Sequence, residues 1–578
     1  MSLSVASSIA LSAMRAAQVG VSVSSSNIAN ADVDGYTVKT ANQVSTVSAS
    51  TGSGTTVTSI TGGVDKYVFA SLISANADVG AAAATASYTD RLQALMGATT
   101  GSEDGGTSLA TQVSDLQTAI NSLASSPEDD TVQSEVISAA DSLASSLRET
   151  SSSIQELRAD ADQQIADDID TINDALDTID DLNGAILAAK AKGASTADLE
   201  DQRNTAIETI SSLIGIKTTT TSNGSIYIST TGGTALLTSS VHALSFSASA
   251  TVKAGTVLSG VSVDGKDITG ELSSGEVGAL LTLRDDTLVE AQDELDALAT
   301  ALIVTLNGVT ADGSAVPAPD SLTGTTKVSS GDTLSASGSV RIARVDESGA
   351  LVGYTDLDLS SYDTVGDLVS ALDAIDGIDA SLDSSGKLTI ASTTSGSGVA
   401  IGALDGDMTG DGTSFSSYFG LNPLFTGSGA ANISLSSAIS SDSSALAIGT
   451  LAASTTIGAT VLTSGSATVA SGLLDAMTGT QTFAAVGGIG STTVTLGDYA
   501  ARIVTDFASR ASDAEAAETR AGTLATSLSD TIASQSGVNI DEETSKISDY
   551  QALYAAAAQI IQAANEMFEA LLSAAKSA

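Results

Sequence analysis

Ile547-Ser-Asp-Tyr-Gln-Ala-Leu-Tyr-Ala-Ala-Ala-Ala-Gln-Ile-Ile-Gln-Ala-Ala-Asn-Glu-Met-Phe-Glu-Ala-Leu571 carries apolar side chains at Ile547, Tyr550, Tyr554, Ala557, Ile561, Ala564, Phe568 and Leu571. The intervals alternate between three and four without a break, which is the seam of a coiled coil and not the broader face of a globular helix. At ~1.5 Å per residue the seam spans roughly 37 Å. Its few bulky anchors gain less on burial than the backbone loses on ordering. The seam therefore requires a partner helix and is expected to order only among neighbours.

The opposite end of the chain offers that partner. Leu3, Ala6, Ala10, Ala13 and Ala17 repeat the same spacing over a helix read across 3–28, and their small side chains permit close approach. That helix gives way at Asn27-Ile-Ala-Asn-Ala-Asp-Val-Asp-Gly-Tyr36, where Asn and Asp favour side-chain turns and Gly35 can take positive φ. Thr37 to Ile60 reads as an extended or irregular connector.

Composition supports an elongated helical protein. The 578 residues include 4 Pro, no Trp and 3% aromatic residues, so long helices run largely uninterrupted. The net charge of −46 disfavours nucleic acid and anionic membranes. Cysteine is absent, which excludes disulfide scaffolds and thiolate chemistry together. The N-terminus lacks the basic region of a cleaved secretory signal, and no segment reads as apolar enough to span a membrane.

Between the ends, helix resumes over 66–96, with a polar loop over 97–106 and a short helix over 108–124. Ser126-Pro127-Glu128-Asp129-Asp130 predicts a helix start with Ser126 as cap. The long helix that follows has its seam at Val136, Ala140, Leu143, Leu147, Thr150, Ile154, Leu157 and Ala161. After a stutter it continues at Ile165, Ile169, Ile172, Leu176, Ile179, Asn183 and Ile186. Strand periodicity takes over after Ile216, with turns at Asn223-Gly224 and Asp264-Gly265. Helix returns over 276–307, 310–330 reads as a Pro-containing linker, a second β-rich stretch follows, and 496–535 is helical again. The fold class is α+β multidomain: terminal helices paired as a coiled coil, a helical stalk and two inserted β-rich domains. The expected division is 1–65 with 537–578, then 66–215 with 275–310 and 496–536, then 216–274, then 311–495.

A search for chemistry finds none to assign. His242 is the single histidine, so a two-histidine zinc site is impossible and no Gly-x-Ser-x-Gly elbow accompanies it. Asp405-Gly-Asp407-Met-Thr-Gly410-Asp411 begins like a calcium loop but has Ser416 where the bidentate carboxylate belongs. The carboxylates between Asp167 and Asp181 form a solvated helix face. No catalytic residue, cofactor or metal is expected.

Ser26-Asn-Ile-Ala-Asn30 followed by Gly35-Tyr36 resembles the N-terminal signature of the bacterial flagellar rod, hook and hook-associated proteins. Ser536-Gly-Val-Asn-Ile-Asp-Glu-Glu543, Tyr550-Gln551, Tyr554 and Met567-Phe-Glu-Ala-Leu-Leu572 resemble their C-terminal signature. The signature positions are Asn27, Ala29, Asn30, Gly35, Tyr36, Gly537, Val538, Asn539, Asp541, Glu542 and Glu543. Stretches at 182–203, at 275–307 with Leu281-Thr-Leu-Arg-Asp-Asp286, and at Phe415–Asn422 with Leu424-Phe425 resemble the hook-associated members in particular. One departure is Val33-Asp34, where the family's turn usually has Thr-Pro.

The resemblance implies a structural protein polymerised with copies of itself at the hook–filament junction. It would contact the hook protein and a second junction protein, and leave the cell through the flagellar type III export channel without signal cleavage. It also implies an export chaperone bound to the C-terminal helix. The hook protein shares both termini, but the long helical regions 66–214 and 276–307 argue against it. A coiled-coil adhesin explains the heptads but not two signatures at opposite ends. A peptidoglycan hydrolase on the same scaffold would need a carboxylate pair that no spacing in the β regions singles out.

Overall fold

The computed structural model describes residues 3–48, 51–97 and 108–577; apart from Gly97, the polar loop read over 97–106 lies outside them. The terminal part comprises α1 (Leu3–Ala29) and an antiparallel hairpin of β1 (Thr40–Ser48) and β2 (Thr51–Thr61). Of the two readings of Thr37–Ile60, extended or irregular, the extended one holds: the stretch is mostly a β-ribbon, laid along α1 through β2.

The helical body follows: α2 (Lys66–Leu95), α3 (Leu109–Ser125), α4 (Asp130–Ala191) and α5 (Ala197–Leu213). Every seam position from Val136 to Ile186 is buried, the polar Thr150 and Asn183 included. The cap of α4 is Asp129, whose side chain accepts from Thr131 N, while Ser126 instead closes α3. Pro127 therefore lies in the turn between two helices and not in the first turn of α4. Among the described residues one helix, α2, is long and apolar enough to cross a membrane by composition, contrary to expectation. Its apolarity comes largely from alanine, and it packs against α5 and against the later helices Gly275–Thr282 and Leu496–Ser536.

Strands β3 (Ile216–Thr220), β4 (Ile226–Thr230) and β5 (Ala235–Leu237) form one small antiparallel sheet. Strands β6 (Leu244–Ser245), β7 (Ser262–Val263) and β8 (Lys266–Asp267) form another. Both β-turns have the positive φ their Asn-Gly and Asp-Gly chemistry calls for: Gly224 at 97°, Asp264 at 51° and Gly265 at 79°. Helices α6 (Gly275–Thr282) and α7 (Leu288–Thr310) are joined by a π-turn over Leu283–Thr287. The π-turn turns Arg284 inward, where its Nη1 donates to Asp162 Oδ1 at 2.6 Å and to Ser259 O at 3.0 Å. Arg158 donates to Arg284 O at 2.9 Å and to carbonyls of Lys253 and Thr256. Two buried guanidiniums thereby hold the irregular 249–260 segment on the body.

The stretch read as a linker contributes β9 (Ser321–Thr323), which pairs with the later strand Leu388–Ser392. It belongs with β10 (Ser339–Asp346), β11 (Leu351–Asp358), α8 (Val365–Asp373), β12 (Ile378–Leu382), β13 (Leu388–Ser392), β14 (Ser397–Gly402) and α9 (Phe415–Phe419). Their shared core runs from Leu322 to Leu421. Here Asp407 accepts from the backbone N–H groups of Thr409, Gly410 and Gly412, so the calcium-like loop is closed upon its own backbone.

From Leu424 the chain joins a different core. Strands β15 (Phe425–Thr426) and β16 (Ser434–Leu435), α10 (Ser437–Ser441), β17 (Thr450–Leu451), β18 (Leu462–Thr463), α11 (Thr468–Thr478), β19 (Gln481–Phe483) and β20 (Thr492–Val494) lead to α12 (Leu496–Ser536). Leu424, Phe425, Ile433, Leu473, Met477 and Phe483 pack into the same cluster as α4 and α7, as do Ile216–Leu272 of the first β-rich stretch. The cores thus divide the chain differently from the expected 311–495 module: about 322–421 stands apart, joined by Leu451, Val461 and Leu462, which pack with Ala343, Val345 and Ala400 of its sheet. The reason is that short strands here bury one face each on helices and not on one another.

Glu294 of α7 is buried between α12 and the β19–β20 loop. Its Oε1 accepts from Gly488 N at 2.8 Å and from Arg510 at 3.2 Å, while Arg510 is shared with Glu290 and Asp506. Burial pushes the Glu294 carboxyl up to about 7, with Asp506 and Glu290 adding to the effect.

Candidate functional site

The chain closes with α13 (Ile540–Ser577), which runs antiparallel to α1. Two pairings fix the register: Asn27 meets Glu543 at the base, and Gly20 meets the ring of Tyr550 one step further out. A Cβ at Gly20 would lie 2.6 Å from Tyr550 Cζ, so only glycine lets the ring lie against α1.

Along this pair Ala10, Ala17, Ala557 and Ala564 are buried. Leu3, Ala6, Ala13, Ile547, Tyr550 and Ile561 are half-buried. Tyr554 is exposed, as are Phe568 at 59% and Leu571 at 61%. The seam read as continuous through Leu571 is therefore covered by α1 only in part. At the observed register Phe568 and Leu571 lie beyond Leu3, the first described residue of α1, and Tyr554 looks to the uncovered side. Leu553, Ile560, Met567 and Leu572 are exposed beside them, leaving an apolar face on α13.

The base of the pair is a polar node. Asn27 is 0% exposed. Its Nδ2 donates to Lys39 O at 2.9 Å and to Glu543 Oε2 at 3.0 Å. Its Oδ1 accepts from Lys39 N and from Tyr36 OH, both at 3.0 Å. Every hydrogen-bonding position of the amide is thus used to join the end of α1, the turn, the ribbon and the start of α13. Burial alone would raise the Glu543 carboxyl, but hydrogen bonds from Lys546, Ser24 and Asn27 outweigh it and hold the group below its ordinary value.

The other signature residues shape the backbone around this node. Asn30 Nδ2 donates to Ser26 O at 2.8 Å, tying the turn to the last turn of α1. Gly35 has φ 75°. Val33 N donates to Asn30 O and Tyr36 N to Val33 O, so the turn is hydrogen-bonded with Val33-Asp34 in place of the family's Thr-Pro. Asn539 Oδ1 accepts from Asp541 N and Glu542 N at 3.1 and 3.2 Å, capping α13. Glu542 joins Lys546 at 2.9 Å one turn on. Gly537 sits where a Cβ would meet Ala533 O at 2.3 Å. Val538 is half-buried, and Ala29 and Asp541 are exposed.

Sequence reasoning missed Thr37, Lys39, Asp201 and Ser536 as node residues. Thr37 N and Oγ1 both donate to Asp201 carboxylate oxygens at 2.9 Å, and Lys39 forms a buried ion pair with Asp201. Val38 N donates to Ser536 O at 2.7 Å. The available signal was Lys39 itself, a cation in a Ser/Thr/Val-rich stretch of a chain with 22 Lys and Arg. Among the described residues no group of three or more acidic or histidine side chains is arranged to hold a metal.

A long chain whose two ends fold against each other through paired signatures, with its other domains strung between them, has the plan of a flagellar axial protein. Residues 8–37 match the model of the flagella basal body rod protein family, and 532–574 that of the flagellar basal body rod FlgEFG protein C-terminal region. Residues 90–320 match the helical domain of flagellar hook-associated protein FlgK. Flagellar hook-associated protein 1 of Escherichia coli K12 is 25% identical over 588 residues, covering 98% of each chain. Its counterpart in Salmonella typhimurium LT2 is 25% identical over 584 residues, again covering 98% of each. The flagellar hook junction protein FlgK from Burkholderia pseudomallei has a similar fold, with a TM-score of 0.50, 17% identity, and coverage of 80% of this chain and 99% of that one. Over nearly its whole length the chain is thus similar to flagellar hook-associated protein 1.

Proposed function

We propose that this chain is a structural protein of the bacterial flagellum that joins hook to filament. The observation that carries this reading is the node at Asn27: both family signatures converge on it, and the helices that leave it expose an apolar face on α13. The role is mechanical. The polar residues buried at the node are engaged with neighbours in the fold, as contacts that transmit force through a scaffold would be.

In the assembled state, copies of the chain stack so that the seam residues Ile547 to Leu571, together with Leu3 to Ala17, cover one another between neighbours. The ring they form seats on the hook protein and carries the second junction protein distally. Before assembly, the exposed face of α13 is the surface that an export chaperone would shield, and the chain leaves through the flagellar export channel.

Electron microscopy of a strain lacking this chain tests the reading. Hooks without attached filaments are expected, with attachment restored by the full-length chain but not by one lacking 547–578. Normally attached filaments in the deletion strain would refute it.

A further inference from the structure

The terminal helices hang from the body by an unusually polar attachment. Among the described residues, the hydrophobic clusters include no fully buried residue before Ile73 or after Phe507. Two covalent crossings join the parts, one between β2 and α2 and one between α12 and α13, and Ser536 Oγ clips them together on Gly63 O at 3.1 Å. Hinged there alone, the α1–α13 pair would be free to swing, because polar contacts in water fix orientation weakly.

One contact away from the hinge is buried. Lys39 Nζ reaches Asp201 on α5 and lies 3.0 Å from Thr37 Oγ1, 3.4 Å from Ala197 O and 4.6 Å from the centre of the Tyr36 ring. The Lys39 stem lies over Gly62, where a Cβ would come within 2.7 Å of its Cδ. Asp201 takes two further bonds from Thr37, so the carboxylate is enclosed by the ribbon. The main chain of the same Lys39 is held on both sides by Asn27. One residue therefore ties the rod through its backbone and the body through its ammonium.

We propose that Lys39 and Asp201 are a positioning pair, a latch that sets the angle of the terminal helix pair on the helical body. A buried ion pair adds little net stability over apolar side chains of similar size, but it is satisfied in a single geometry and penalises every other. Releasing it leaves both parts folded, since neither α1–α13 nor the body core uses it, and frees the rod about the 63–66 and 536–539 crossings. Its purpose rests on the junction reading, in which copies must present their rods at a common angle. The latch itself is a property of the isolated chain.

The absence of cysteine allows a clean test. Spin labels on Gln18→Cys and Asp181→Cys, both exposed positions, report the rod-to-body distance in the full-length monomer. The parent is expected to give a narrow distance distribution. Lys39→Met and Asp201→Asn should each shift or broaden it while the thermal unfolding of the body stays unchanged. Asp198→Asn should leave it narrow, because Asp198 is mostly exposed and 3.8 Å from the ammonium. Should a single variant misfold, Lys39→Met/Asp201→Leu removes both charges together and must still broaden the distribution. A parent-like distribution in the folded variants overturns the latch, and leaves the junction reading standing.

Discussion

Asn27 Nδ2 lies 3.0 Å from Glu543 Oε2, joining residues 516 positions apart in the chain. The contact works because each partner is also held locally: Asn27 by the ribbon backbone, Glu543 by Lys546 at 2.8 Å one turn along α13. It marks where α1 and α13 separate from the body.

Replacing Asn27 with Ala removes all four of its bonds at once and leaves Lys39 N, Lys39 O and part of Glu543 buried without partners. A buried group left unpaired costs about 1–3 kcal/mol. The terminal pair should therefore lose most of its stability while the body, whose core lies elsewhere, keeps its own. Hydrogen exchange by mass spectrometry should show faster exchange over 3–29 and 540–577 and unchanged exchange over 130–191. Unaltered protection at the termini would refute the node's structural role.

Gly20→Ala places a methyl group into the Tyr550 ring. Overpacking of this kind typically costs ~1–3 kcal/mol. The expected outcome is a looser α1–α13 pair, with Tyr550→Ala restoring much of the loss in the double variant, as direct contact requires. Additive effects of the two changes, read from the same exchange profile, would place the ring elsewhere.

Periodicity made the helices legible, because a helix that buries one stripe must repeat that stripe in its sequence. Val136 to Ile186 shows this over the length of α4. The turns at Asn223-Gly224 and Asp264-Gly265 were legible for a similar reason, since positive φ restricts which residues can stand there. The Thr37–Ile60 ribbon was not: with α1 covering only part of one face, its side chains have little reason to alternate. Lys39 and Asp201 were hidden because a buried ion pair between distant segments leaves no local pattern. The exposed end of the C-terminal seam shows the converse limit. Spacing puts Phe568 and Leu571 on the seam face, but how far the partner helix reaches is a matter of register.

That register bears on the order of local opening. Beyond Ala564 no residue of α13 is buried against α1 among the described residues. Helical turns without tertiary cover fray readily. In the monomer, exchange should be fastest from Phe568 onward, intermediate around Ala557 and slowest near Glu543. In assembled material the gradient should flatten as neighbours cover Tyr554, Phe568 and Leu571. A gradient running the other way in the monomer would contradict the antiparallel register.

Glu294 predicts how the body responds to pH. Its ordinary value is 4.5 and burial carries it to about 7 in the fold, where Arg510 is divided among three carboxylates and cannot neutralise them all. A carboxyl raised on folding binds its proton more tightly in the native state. Its stabilising effect is full below about 4.5 and is lost as pH rises through about 7. At 1.36 kcal/mol per unit the change amounts to roughly 3 kcal/mol for this group. Asp168, also pushed up to about 7 by burial with Glu276 and Asp167 adding, acts in the same direction. Self-repulsion at a net charge of −46 does so too. The informative quantity is therefore the difference between parent and Glu294→Gln. The variant keeps an amide oxygen for Gly488 N–H but does not titrate. Denaturant unfolding from pH 5 to pH 8 should show the parent losing stability faster than the variant, and Glu294→Gln/Asp168→Asn flatter still. Parallel curves for parent and Glu294→Gln would mean that Arg510 keeps Glu294 ionised throughout, and the assignment of the pH response to this carboxyl would fall.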